Sequence, residues 1–264
     1  MVITDLKTTT RPGGADSDKK MRQFALFAIL ALLMLAPRAA SAEWFFDTET
    51  GAAFSGYNDV RIPGDSGTLF SLSEDLDANP TWFVRLRLGA TIAQRHTISV
   101  LAAPLSFHSR GRFDHDVDFA GEKFLRGEAV RGFYRFDSYR LTYRYDFLLE
   151  PLELGAGVTG KIRDAEISLD GAEYQNYTNT GVVPLINFRL FWPFVPGWGL
   201  LFDGDALVGP QGRAEDVQVA LTADLNDHVG LRAGYRMLEG GADNDKVYTF
   251  ALVHYALLGL TAKF

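Results

Sequence analysis

The chain contains no cysteine. That excludes disulfide staples, thiolate metal sites, a cysteine nucleophile and a lipid-modified N-terminal cysteine. Proline is sparse, at 10 of 264 residues, and no low-complexity segment divides the sequence, so a single domain is expected. No apolar run reaches the roughly 20 residues that a transmembrane helix needs. An excess of positive charge is also missing. Lys and Arg number 26 against 33 Asp and Glu, a balance that argues against a nucleic-acid partner.

What is present starts with an export signal. Lys19, Lys20 and Arg22 form a basic segment, Phe24 to Leu35 an apolar run, and Ala40-Ser41-Ala42 a small-x-small cleavage site. Residues 1–42 are therefore read as a signal peptide and residues 43–264 as the mature domain. The polar segment before Met21 makes that methionine an alternative start. Residues 1–42 hold six basic and three acidic residues, so the mature chain carries 20 basic and 30 acidic residues, a net charge of −10.

The mature sequence alternates with a period of two, the spacing of β-strands. Ten strands are expected, with eight and twelve as the other even counts. The clearest run from Phe133 to Leu148, where Tyr139, Leu141, Tyr143, Tyr145 and Phe147 alternate with Arg140, Thr142, Arg144 and Asp146. Strand one (about Trp44 to Gly56) and strand three (His96 to Phe107) alternate least well. Tight turns at Gln94-Arg95, Leu149-Glu150-Pro151, Pro196-Gly197 and Asn226-Asp227-His228 intersperse with segments read as polar loops: Tyr57 to Pro80, Ser109 to Arg131 (with room for a short hairpin), Gly171 to Gly181, Gly209 to Glu215 and Glu239 to Asp245. Short turns on one side and longer loops on the other are the pattern of outer-membrane barrels. The fold expected is all-β: a transmembrane antiparallel up-and-down β-barrel with an apolar exterior. A soluble β-sandwich or lipocalin-like barrel would place the same two faces the other way round.

In a membrane barrel the polar faces line the lumen. The expected lumen charges are Arg85, Arg87, Arg140, Arg144, Lys161, Arg163, Arg189, Arg232 and Arg236, with Asp203, Asp205, Asp216 and Asp224. This arrangement reads as one basic wall facing an acidic stretch. Buried charges are costly unless paired. The lumen is therefore expected to be a charge-paired plug, with a narrow water-filled path selected by opposed charges as the alternative.

Other candidate groups are weaker. Asp114-His115-Asp116 lies in the second outer segment and could serve a hydrolase, as could the loop-one carboxylates around Glu74-Asp75-Leu76-Asp77. The latter and Asp243-Asn244-Asp245 could bind Ca²⁺ through oxygen ligands, but neither fits the twelve-residue calcium loop. A surface adhesin would use Tyr174, Asn176 and Tyr177. His254 stands out of place on an otherwise apolar face. No cofactor or resident metal is expected.

The last ten residues, Tyr255-Ala256-Leu257-Leu258-Gly259-Leu260-Thr261-Ala262-Lys263-Phe264, carry alternating apolar positions to a terminal aromatic. With the Ala40-Ser41-Ala42 signal end, they resemble the small outer-membrane β-barrel superfamily of Gram-negative bacteria. Gly259, Leu260 and Phe264 are similar to its insertion signal. Leu257 and Ala262 depart from the usual pattern. The resemblance implies escort by periplasmic chaperones and insertion by the barrel-insertion machinery; a monomer in the Gram-negative outer membrane, in contact with lipid and lipopolysaccharide, is expected. The resemblance implies no substrate. The expected role is a structural or narrow solute-transport barrel, with hydrolase and adhesin as alternatives.

Overall fold

The computed structural model describes residues 42–209 and 212–264. The expected signal peptide, apart from its last residue, and the alternative start at Met21 lie outside them. The described residues form fifteen strands: β1 (Ala42–Arg61), β2 (Phe70–Ser71), β3 (Leu76–Ala78), β4 (Thr81–Ile92), β5 (His96–Ala103), β6 (Ser106–Arg112), β7 (Val117–Phe119), β8 (Glu122–Phe124), β9 (Ala129–Leu148), β10 (Glu153–Asp170), β11 (Tyr174–Val195), β12 (Trp198–Gly209), β13 (Gly212–Asp224), β14 (Val229–Asn244) and β15 (Val247–Lys263).

Ten of them close a barrel. Antiparallel pairing runs β10, β11, β12, β13, β14, β15, β1, β4, β5, β9 and returns to β10. The first and last strands meet, and Trp44 and Phe264 exchange backbone hydrogen bonds of 2.9 and 2.8 Å. Closure matters because an open sheet edge in hydrocarbon would leave backbone groups without partners.

The faces are inverted relative to a soluble protein. Val84 and Leu86 are exposed while Arg85 between them is buried; Leu141 is exposed while Arg140 and Thr142 are buried. Leu258, at 63% exposure, lies between the buried Leu257 and Gly259. The soluble alternatives require the opposite. The apolar belt ends abruptly on its outer side. On β10, Val158 and Ile162 give way to Asp164 and Glu166, which accept hydrogen bonds from Arg135 of β9 at 2.7 and 3.1 Å. At 20 and 18 residues, β9 and β10 are nearly twice the ~9–11 that cross a bilayer, so they project beyond it. Val219 is an outward residue near the centre of β13, and Val219→Arg is expected to destabilise the folded barrel by ~2–4 kcal/mol. A urea folding titration in liposomes measures this, and an unchanged midpoint would contradict the lipid-facing assignment.

Three segments read as loops are strand. Gly171–Gly181 contracts to the turn 171–173, because Tyr174–Gly181 already pairs with Arg163–Asp170. Most of Glu239–Asp245 belongs to β14, and β12 and β13 run to Gly209 and from Gly212. Alternating Tyr, Thr and Asn suit a strand as well as a loop once a neighbour offers a ladder. The first two outer segments are long, as expected, and the second does hold a hairpin, β7–β8. Expected strand three is broken at Pro104, which has no N–H for the ladder. β6 resumes along β9, and Asp137 accepts the Leu105 N–H at 3.2 Å.

Candidate functional site

Two layers cross the lumen, and beside the outer one lies a cavity. The inner layer is ionic. Asp216 of β13 receives Arg85 at 3.1 Å, Arg236 at 2.5 Å and Arg140. Arg140 also donates to Asp205 of β12 at 2.7 Å. On β1, Glu49 receives Arg236 at 2.8 Å and Arg232 at 2.8 Å, and Asp47 receives Arg232 at 2.8 Å. Four guanidinium groups thus meet four carboxylates from six strands. Neutral side chains complete it: Thr159 and Asn187 donate to Asp205 at 2.6 and 2.9 Å, and Gln218 donates to Asp203 at 2.6 Å. Arg236 is 1% exposed.

Arg85, Arg140, Lys161 and Arg163 share the arc from β4 to β10, Asp205 and Asp216 stand on β12 and β13, and β14 and β1 add a further basic and a further acidic strand. Basic β14 stands between acidic β13 and acidic β1, with only β15 intervening. Cross-lumen and cross-strand partners are then both within reach, so the like charges of β14 and of β1 face each other's strand.

Several expected lumen residues lie outside this layer. Arg144 turns to Asp146 at 2.8 Å, and Arg189 pairs with Glu153. Asp224 is exposed at the inner end of β13. Arg87 is half-buried on the lumen face and forms no ion pair among the described residues. Asp47 and Glu49 were not anticipated, because strand one alternates weakly. An acid deficit did signal them: nine basic lumen residues were expected against four acidic ones, and buried charges need partners.

Gly259 has a local reason to be glycine. A Cβ there would lie 2.7 Å from Arg232 Cζ, so any side chain would push the guanidinium off Asp47 and Glu49. Leu260 and Phe264 are exposed on the outer face.

The second layer is apolar. The first two outer loops fold over the β1–β9 half of the barrel mouth and bury Phe70, Leu72, Leu76, Phe113, Val117, Phe119 and Phe124. Phe70 meets Phe113 and Phe119 edge-on at 5.4 and 5.6 Å, a favoured aromatic geometry. Inward residues of β15, such as Val253, Tyr255 and Leu257, complete the cluster. This explains why β15 is apolar on both faces in its middle.

The described residues leave the β10–β14 half of the mouth unfilled. It holds a cavity of about 790 Å³ whose lining includes Tyr134, Phe136, Lys161, Arg163, Tyr177 and Leu207. Lys161 is 3% exposed, and its Nζ sits 4.6 Å from the centre of the Phe136 ring. It forms no ion pair among the described residues. Arg163 donates to the Asn179 side chain, and its Nε is buried with no hydrogen-bond partner among those residues. Tyr177, expected in an adhesive loop, is a strand residue lining this cavity.

Several of the remaining candidates are engaged locally. His115 Nδ1 lies 2.5 Å from Asp114, and that hydrogen bond holds the Asp114 carboxyl below its usual range. Asp116 accepts the Arg126 N–H at 2.9 Å, and Asp75 accepts the Ser71 N–H at 2.7 Å. Asn244 caps its own turn. No group of three His, Asp or Glu able to hold a metal ion occurs among the described residues. His254 is hydrogen-bonded to the Tyr235 hydroxyl at 2.6 Å on the outer face, which meets its polar need there.

A closed ten-stranded antiparallel barrel with an apolar exterior and a charged interior defines the class: the chain folds as an outer-membrane β-barrel. The chain is similar to the outer membrane protease OmpT from Escherichia coli at 12% identity and a TM-score of 0.51, over 84% of this chain and 97% of that one. It is also similar to the transport unit of the autotransporter AIDA-I from Escherichia coli, at 9% identity and a TM-score of 0.44, over 91% and 97%. A third is the attachment invasion locus protein Ail of Yersinia pestis, at 10% identity and a TM-score of 0.36, over 83% and 98%. No protein-family model and no curated protein matches the chain.

Proposed function

We propose that this chain is an outer-membrane barrel whose lumen is shut by its ion-pair layer and whose working face is the outer half. The observation that carries this is the convergence of Arg85, Arg140 and Arg236 on Asp216 from three other strands. Side chains from opposite walls meet there, where an open pore would have its axis. Ten strands make a lumen only slightly wider than the eight-strand case that side chains can fill. The apolar loop layer then covers part of the outer mouth.

On this reading the protein is exported by residues 1–42, escorted by periplasmic chaperones and inserted by the barrel-assembly machinery. It resides as a monomer in the Gram-negative outer membrane, in contact with lipid and lipopolysaccharide. It serves as a structural barrel or handles a ligand from the outer side; bulk solute diffusion is not its role. The hydrolase alternative needs His115 beside a carboxylate pair, and its ring bonds only the adjacent Asp114 among the described residues.

Liposome swelling tests the reading. Proteoliposomes holding the refolded barrel are expected to swell in small sugars no faster than protein-free liposomes. Swelling that scales with protein content would contradict it.

A further inference from the structure

We infer that the outer cavity binds an amphiphile with an anionic headgroup, the head held at Lys161 and Arg163 and the apolar tail leaving sideways between β11 and β12. The inference rests on the closed lumen, which makes the cavity blind at its inner end.

The wall is incomplete beside the cavity. β11 pairs with β12 only from Ile186, opposite Ala206, inward to Val195. Its outer part, Tyr174 to Leu185, is bonded to β10 on one side and to no described strand on the other. β12 and β13 turn back at Gly209 and Gly212, while β10–β11 and β14–β15 continue past them. The result is a notch. Pro184 stands at its foot, where a residue with no N–H cannot donate to an approaching strand. Only the foot of the notch is apolar and level with the lipid belt, where Val182 is 61% exposed and Val208 71%; beyond it the outward residues of β11 are Thr180 and Thr178, opposite Asp164 and Glu166.

The cavity has the character such a ligand needs. Its volume falls within the roughly 300–1,000 Å³ of small-molecule pockets. Tyr134, Phe136, Ile167, Tyr177, Val183 and Val247 supply an apolar lining. Its two carboxylates are already engaged, Glu166 by Arg135 and Glu239 by Arg213 and Tyr57. Of its cations, Arg213 is paired with Glu239 and Lys246 is exposed, while the buried Lys161 and half-buried Arg163 have no carboxylate partner among the described residues. A buried amine or guanidinium without a counter-ion is costly to keep charged. An incoming carboxylate or phosphate would supply the missing charge-assisted hydrogen bonds. The short β12–β13 hairpin lets the tail remain against the belt while the head is enclosed.

The test uses the refolded barrel in an uncharged detergent, with oleate, oleyl alcohol, acetate and inorganic phosphate as probes and protein-free micelles as background. Oleate is expected to bind with one-to-one stoichiometry, oleyl alcohol at least tenfold more weakly, and neither acetate nor phosphate to displace oleate. K161M is expected to lower oleate affinity at least tenfold while the barrel folds as well as the parent, since a buried amine with no carboxylate partner among the described residues has been removed. R163Q, nearer the outer rim, provides a second reading of the same loss. Equal binding of oleate and oleyl alcohol, displacement by phosphate, or unchanged oleate affinity in both variants would overturn the inference. A barrel that conducts yet still binds oleate loses the closed lumen and keeps the pocket. A silent barrel that ignores oleate does the reverse.

Discussion

Asp216→Ala is expected to lower the unfolding free energy of the barrel by about 3–5 kcal/mol, the cost of breaking a buried ion pair by removing one partner. Asp216 is the acceptor shared by Arg85, Arg140 and Arg236. Its loss leaves three guanidinium groups with Glu49 and Asp205 as their remaining acids, in a layer sealed from water. The damage therefore comes from stranded cations more than from one lost contact. Two companions make the reading specific. Asp224→Ala, on the same strand but exposed at its inner end, is expected to change little. The paired replacement Arg85→Met with Asp216→Leu removes charge of both signs and is expected to recover part of the loss, because buried ion pairs are often replaceable by apolar groups of similar volume. Denaturant titration in a fixed detergent or lipid measures all three. Equal effects at Asp216 and Asp224 would mean that the ion layer is not a distinct structural unit.

Phe113→Ala is expected to destabilise the outer apolar layer by about 3–5 kcal/mol, the range for truncating a buried aromatic. Phe113 is 1% exposed and packs edge-on against Phe70, so it joins the second outer loop to the first. The loss should be local. The barrel wall is held by its closed ladder, while the loops are held over the mouth by side-chain packing. Amide exchange in residues 68–78 and 113–128 should speed up by about two to three orders of magnitude, at about 1.4 kcal/mol per tenfold. The wall strands should keep their protection. Faster exchange across β9 and β15, with the loops unchanged, would mean that the apolar layer is part of one cooperative unit with the wall.

The strands legible in the sequence were those in which bilayer and lumen both left their mark. β9 is the clearest: Tyr139, Leu141, Tyr143, Tyr145 and Phe147 face outward, and Arg140, Thr142 and Asp146 are buried, as the alternation predicts. β1 was harder to read because its outward series contains Thr48, Thr50 and Ala52, which blur the contrast with Asp47 and Glu49. The ion layer was therefore seen from its arginines and missed two of its acids. The apolar layer left less trace. Phe70, Leu72, Leu76 and Phe113 are spaced irregularly in polar segments, and only the folded chain brings them together. The cavity is a property of strand lengths. It exists because β12 and β13 stop short of their neighbours, and no periodicity encodes where a projecting strand ends once it has left the bilayer. Lys161 and Arg163 fall on the lumen face in the sequence, but that they have no carboxylate partner among the described residues appears only in three dimensions.

The central claim is that the lumen is closed by paired charge. Single-channel recording of the refolded barrel in a planar bilayer tests it most directly, with Asp203→Ala and Asp205→Ala alongside. The parent barrel, shown to be folded and inserted, is expected to be silent at moderate voltage. Discrete conductance steps in the parent, changed in size or ion selectivity by removal of Asp203 or Asp205, would contradict the claim and make the ion layer the lining of a pore.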